Sequence, residues 1–287
     1  MAYNTKKNNI IERVKAGDVA FGVQNYLPFP IMYDMYGLAG FDYVMIDMEH
    51  TRAGFNDMEA CARACEANDL TPIFRVGKND PYLIRAAVEI GGKGVVVPHV
   101  KNAEDAKNAV AYCHFNPTGT VDGGGLLGMC PAVRHSNFGL DNYVEYRQYI
   151  NENFSTIVLF EDLSALEDWE GILDQLVPGR DGIGFGMGDL SFSLLKKGEA
   201  DKSKEILGKY VPVIQKAAKE RGLLQQNMIW PFPDVEGTKK LAEAGTNVIL
   251  TFPDNAWFAQ AASDQIARAR GVQKQEVFVT EAMKEKK

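Results

Sequence analysis

One repeated pattern limits what this chain can fold into. A short apolar run ends in polar residues and is followed by a helical stretch, and this happens eight times. The runs at 19–23, 43–47, 71–76, 94–98, 156–160, 182–187, 223–229 and 247–252 read as strands. Helices are expected at 10–16, 28–37, 56–68, 80–91, 102–113, 141–151, 165–176, 201–221, 233–244 and 254–270. The unbroken apolar run at 94–98 suits a strand covered on both faces, as in a parallel sheet. Strict strand–helix alternation predicts an α/β fold closed as a (β/α)8 TIM barrel, with an open doubly wound sheet as the alternative. The 287 residues, 46% of them apolar, suit one barrel domain over 1–271 and a charged tail over 272–287.

The net charge of −7 argues against nucleic acid or an anionic membrane as partner. No apolar run reaches membrane-spanning length, and the polar start of the chain lacks a signal core. The four cysteines follow no disulfide or zinc spacing, so a reducing cytoplasm is the expected setting. Cys61 and Cys65, four apart on a predicted helix, are expected to share its buried face.

In a parallel barrel every strand ends on the same face, so the residues at those ends form one rim. Asp47, Glu49 and His50 follow the second strand, and Arg75 ends the third. Glu161 follows the fifth and Asp189 the sixth. Titratable groups gathered on one rim point to an enzyme. Glu161 and Asp189 are candidates to hold one hard divalent cation, or else are helix N-caps. Gly186 and Gly188 would let the backbone approach a ligand. His50 is a candidate general base, or else a rim histidine bonded to a carboxylate. Glu89 is either its orienting partner or a solvated helix residue. Arg75 suits a carboxylate or enolate oxygen, with Asp47 orienting it or a water on the cation.

The segment 116–139 is long and glycine-rich, as functional or mobile loops are. Its Arg134 and His135 are expected to close over the site or to meet a neighbouring subunit. The run Gly123-Gly124-Gly125-Leu126-Leu127-Gly128 fits G-x-G-x-x-G but neither follows a clear strand nor opens a helix, so it is no dinucleotide loop. Strands five and six carry no lysine, which weighs against Schiff-base chemistry.

Asp47-Met48-Glu49-His50, Phe74-Arg75-Val76, Asn79-Asp80-Pro81, Gly94-Val95-Val96-Val97-Pro98, Glu161 and Gly186-Met187-Gly188-Asp189-Leu190-Ser191 occur in this order. Together they resemble the HpcH/HpaI aldolase family over about residues 10–271. The resemblance implies a class II aldolase that cleaves a 4-hydroxy-2-oxo acid to pyruvate and an aldehyde through a metal-stabilised enolate. Glu161 and Asp189 would hold Mg²⁺, Mn²⁺ or Co²⁺. Arg75, Gly188 and Asp189 would bind the 2-oxo acid, and His50 with Glu89 would act on the hydroxyl proton. A homo-oligomer is also implied, a hexamer or trimer of dimers, with the last helix exchanged between subunits. Leu159 stands where relatives usually carry Gln, and Gly186-Met187-Gly188-Asp189 replaces the usual Gly-Pro-Ala-Asp. These departures keep two alternatives in view: a lyase or decarboxylase of an oxaloacetate-like acid, and a non-catalytic metabolite-binding relative.

Overall fold

The structure is a computed structural model that describes residues 7–116, 124–128, 130–140, 142–196 and 202–272. Eight parallel strands close in sequence order into a barrel, so the open-sheet alternative is excluded. The strands are β1 (Ala20–Asn25), β2 (Tyr43–Asp47), β3 (Thr71–Arg75), β4 (Gly94–Val100), β5 (Ser155–Phe160), β6 (Gly182–Phe185), β7 (Leu224–Met228) and β8 (Val248–Pro253). Closure comes from β1 pairing with β8, Ala20 beside Val248.

The helices are α1 (Asn9–Lys15), α2 (Pro30–Ala39), α3 (Phe55–Ala67), α4 (Pro81–Glu89), α5 (Ala103–Cys113), α6 (Tyr143–Asn153), α7 (Leu163–Glu167), α8 (Trp169–Leu173), α9 (Met187–Lys196), α10 (Ser203–Glu220), α11 (Val235–Ala244) and α12 (Asp254–Arg270). Several starts follow from local chemistry. Asp80 caps α4 by accepting from the N–H of Tyr82 and Leu83, with Pro81 in the first turn. Asn102 caps α5 and Asp162 caps α7 in the same way. The helix expected at 165–176 is instead α7 and α8, broken at Asp168. β6 stops at Phe185, two residues early, because Met187 already opens α9.

The core has two compartments. Inside the barrel Ile10, Tyr43, Met45, Ile73, Val96, Ile157, Leu159, Leu224, Val248 and Leu250 pack together. Ile10 belongs to α1, which plugs the N-terminal end. Asn8 anchors that plug by donating to the carbonyls of Lys93 and Asn153, both at 3.0 Å. Outside, the other faces of the strands meet the helices in a larger apolar layer that includes Cys61 and Cys65. Each large side chain so buried contributes about 1.5–3 kcal/mol relative to exposure.

Arg134 and His135 do not reach the barrel mouth. Arg134 lies under the far ends of α3 and α4, where it donates to Glu66 at 2.5 Å and to the Ile90 carbonyl at 2.9 Å. His135 is buried against Tyr146. A guanidinium held through Nη1 by a helix-end carbonyl and through Nη2 by a buried carboxylate fastens this part of the loop to the side opposite the rim. Gly119, Gly123 and the tail from 273 onward lie outside the described residues.

Candidate active site

The rim brings Asp47, Glu49, His50, Arg75 and Glu161 to one mouth, together with two residues to which the sequence reading gave no role: Tyr26 and His99. Asp47 is fully buried and organises its own neighbourhood. Its Oδ1 accepts from the backbone N–H of Glu49 at 2.9 Å and of His50 at 2.6 Å. Its Oδ2 takes the Arg75 Nε at 2.5 Å and also pairs with Nη2. One carboxylate therefore shapes the turn after β2 and aims the guanidinium, so of the two roles expected for Asp47 the structure displays the one toward Arg75.

Arg75 also meets Glu49 Oε2 at 3.3 Å and donates from Nη2 to the Tyr26 hydroxyl at 2.8 Å. Its Nη1 makes no hydrogen bond to the described residues and remains available for a substrate oxygen. Burial works against the Arg75 charge, but Asp47 and Glu49 outweigh it and leave the pKa above its ordinary value.

Glu49 sits at the centre of the mouth. His50 Nε2 lies 3.5 Å from Oε2, and His99 Nε2 lies 3.3 Å from Oε1. Burial pushes the Glu49 carboxyl up, against the pull of Arg75, His50 and His99. Glu49 is thus the carboxylate beside His50. Glu89 is not: it ends α4, which runs back toward the opposite face, and its neighbour is Arg85 at 4.0 Å. Within one chain the structure does not bring His50 and Glu89 together.

His99 occupies a left-handed backbone conformation, φ 56°, inside β4. Such a conformation is costly for a side-chain-bearing residue and clusters at functional sites. It lets the His99 N–H donate to Glu161 Oε2 at 2.9 Å, while its Nδ1 lies 3.4 Å from the same oxygen. Glu161 itself is only 4% exposed. It is no helix cap, since Asp162 caps α7. Its other oxygen, Oε1, points at Gly186, where a Cβ would collide with it. Gly186 is therefore the glycine that makes room for this carboxylate, whereas Gly188 faces open space.

Asp189 lies in the first turn of α9 and is exposed. Burial pushes the Glu161 carboxyl up, the His99 N–H opposes this, and the charges of Glu49 and Asp189 add to the push. Two carboxylates close enough to repel are the arrangement a divalent cation relieves. Among the described residues no cluster of three or more His, Cys, Asp or Glu side chains forms a metal cage. A pair of carboxylates nevertheless fits Mg²⁺ or Mn²⁺, which retain several positions for water and substrate oxygens. Leu159 lies one pleat below Glu161, buried in the barrel interior, so the floor of this corner is apolar. On the other side Gln24 is buried with Nε2 donating to the Tyr26 hydroxyl at 3.3 Å, while its Oε1 has no partner.

The HpcH/HpaI aldolase/citrate lyase family matches over residues 27–251. A hydroxypyruvate/pyruvate aldolase of Paraburkholderia phytofirmans is 27% identical over 271 residues, 93% of this chain and 99% of the relative. A 2-dehydro-3,6-dideoxy-6-sulfogluconate aldolase of Pseudomonas putida is 37% identical over 155 residues; that match spans 54% of this chain and just 57% of the relative. Among solved structures, an HpcH/HpaI aldolase of Desulfitobacterium hafniense superposes with a TM-score of 0.76 at 22% identity, covering 91% of this chain and 96% of that one. The last likeness bears on the fold alone.

Proposed function

The chain belongs to the HpcH/HpaI aldolase/citrate lyase family, and from that premise we propose that it is a divalent-metal-dependent carbon–carbon lyase. It cleaves a 4-hydroxy-2-oxo acid to pyruvate and an aldehyde. The observation that carries this reading is Arg75, held by Asp47, Glu49 and Tyr26 with Nη1 left over, on the same mouth as Glu161 and Asp189.

Breaking the C3–C4 bond leaves an electron pair on a carbon next to a carbonyl. That pair is tolerable only where the developing enolate oxygen meets positive charge. A cation held by Glu161 and Asp189 would supply much of that charge. Arg75 supplies the rest through Nη1, and it needs no rearrangement because Asp47 already fixes its plane. The backbone N–H groups of Gly188 and Asp189, in the first turn of α9, suit the substrate carboxylate. His50 stands half-exposed beside Glu49 and accepts the proton of the C4 hydroxyl.

The apolar Leu159 beneath Glu161 favours a second reading. In that reading the same mouth releases carbon dioxide from an oxaloacetate-like acid, or binds a 2-oxo acid without turnover. A panel of 4-hydroxy-2-oxo acids, followed for pyruvate and aldehyde by NMR with and without EDTA, tests the proposal. Pyruvate release that EDTA abolishes and Mn²⁺ or Mg²⁺ restores is the expected result. Release that survives the chelator would remove the cation from the mechanism.

A further inference from the structure

Tyr26 takes no chemical role in the cleavage just described, yet its phenol stands inside the mouth. β1 ends at Asn25, so Tyr26 is the first residue past the strand. Asp254, at the head of α12, fixes that tip by accepting from the N–H of Tyr26 at 2.8 Å, the N–H of Leu27 at 3.2 Å and Asn25 Nδ2 at 2.7 Å. The ring is tilted against His50, with centroids 6.2 Å apart, and the Arg75 Cζ lies 5.9 Å from its centroid. It thus lies beside both the guanidinium and the imidazole.

The hydrogen-bond inventory of the phenol decides what it can still do. A tyrosine hydroxyl has two lone pairs and one proton. Arg75 Nη2 at 2.8 Å and Gln24 Nε2 at 3.3 Å both donate to the oxygen. The lone pairs are engaged, and among the described residues the O–H has no acceptor. Burial pushes the Tyr26 pKa upward, against the pull of Arg75. The phenol therefore keeps its proton through the neutral range and is a donor.

We propose that Tyr26 is a catalytic residue whose O–H donates a hydrogen bond to the C4 oxygen of the substrate, between the Arg75 end and the His50 end of the mouth. This rests on the lyase reading above and deepens it. In cleavage, His50 takes the proton from the C4 hydroxyl and the C3–C4 bond breaks. The bonding pair moves toward C2 to form the enolate, and the C4 oxygen becomes the aldehyde carbonyl. The enolate then takes a proton at C3 from water to give pyruvate, and His50 returns its proton to water, so the cycle closes with no net proton. Negative charge gathers on the C4 oxygen as its proton leaves, and the Tyr26 O–H stabilises it without being transferred. In the synthetic direction the same hydrogen bond polarises the incoming aldehyde.

Two reactions of the intact protein with Mg²⁺ separate this role from a mere prop for Arg75. Exchange of the pyruvate C3 protons in D2O needs the enolate alone. Condensation of pyruvate with an aldehyde needs the C4 oxygen site as well. The aldehyde is whichever of glycolaldehyde, glyoxylate and succinic semialdehyde the unaltered protein uses fastest. For Tyr26→Phe, exchange is expected to stay within about twofold while condensation falls about 100-fold, the usual effect of removing one such donor. A parallel fall of both rates would mean that Tyr26 acts only through Arg75, and an unchanged condensation rate would mean that it touches nothing that matters; either overturns the proposal. An unaltered protein that exchanges no deuterium would instead sink the enolate reading, and this inference with it.

Discussion

Arg75 concentrates the chemistry of the site in one side chain. Asp47 binds it through Nε and Nη2, and the same carboxylate also fixes the turn that carries His50. A lysine could keep the charge but not the planar fork, and Asp47 would lose its second contact. For Arg75→Lys we expect turnover to fall about 100-fold with the circular dichroism spectrum unchanged; an unaltered kcat/KM would take Arg75 out of the reaction. Glu161 can be tested without any substrate. Glu161→Gln keeps size and shape but removes the charge, so Mn²⁺ affinity, read by electron paramagnetic resonance titration, is expected to drop at least tenfold. Equal affinity in both proteins would show that the cation, if bound, sits elsewhere. Asp47, His50, Arg75 and Glu161 were legible in the chain because each follows an apolar run and carries an obvious charge or imidazole. Tyr26 was not, because it follows Gln24-Asn25, a polar pair that reads as loop although β1 includes it. His99, just past the run at 94–98, could be placed near the site but not given a role, since it meets Glu161 through a left-handed backbone that no propensity announces.

Among the elements, the strands define the barrel and small residues set how closely they pack. Gly22 on β1 faces the ring of Tyr43, where an added Cβ would overlap it. Tyr43 cannot swing away easily, because it is fully buried and its hydroxyl donates to the Ile249 carbonyl at 3.1 Å. Gly22→Ala is therefore expected to destabilise the fold by roughly 1–3 kcal/mol, the usual cost of overpacking, measurable by urea unfolding; a stability change within about 0.5 kcal/mol would show that the interior has slack. All eight strands were readable to within two residues at their ends, with β4 running on two residues past Pro98, through His99. The helices were harder where glycine intervened. Gly186-Met187-Gly188 looks like the end of a strand, yet α9 begins at Met187 and puts Asp189 in a helix's first turn. Glu89 ends α4, and a helix that starts at the rim runs away from it, so within one chain Glu89 does not meet His50.

The whole molecule should lose stability in acid through a histidine remote from the mouth. Burial pushes His135 down to about 4, from an ordinary 6.5. The unfolded chain then takes up a proton before the folded chain does. The contribution of neutral His135 is complete above about pH 6.5 and is lost as pH falls toward 4, by up to roughly 3 kcal/mol. His114, also buried and likewise shifted downward, adds in the same direction. Urea unfolding at pH 7 and pH 5 should show a smaller pH dependence for His135→Gln than for the unaltered protein; an identical slope would acquit His135. The bond between Asp254 and the tip of β1 has a consequence for how the protein is made. Residues 25 and 254 must meet before Tyr26 is fixed, and β8 must be present before the cylinder shuts. A ribosome delivers them some 229 residues apart. A nascent chain can pack its early strands and helices against one another while still tethered, but it stays chemically inert until α12 has cleared the exit tunnel.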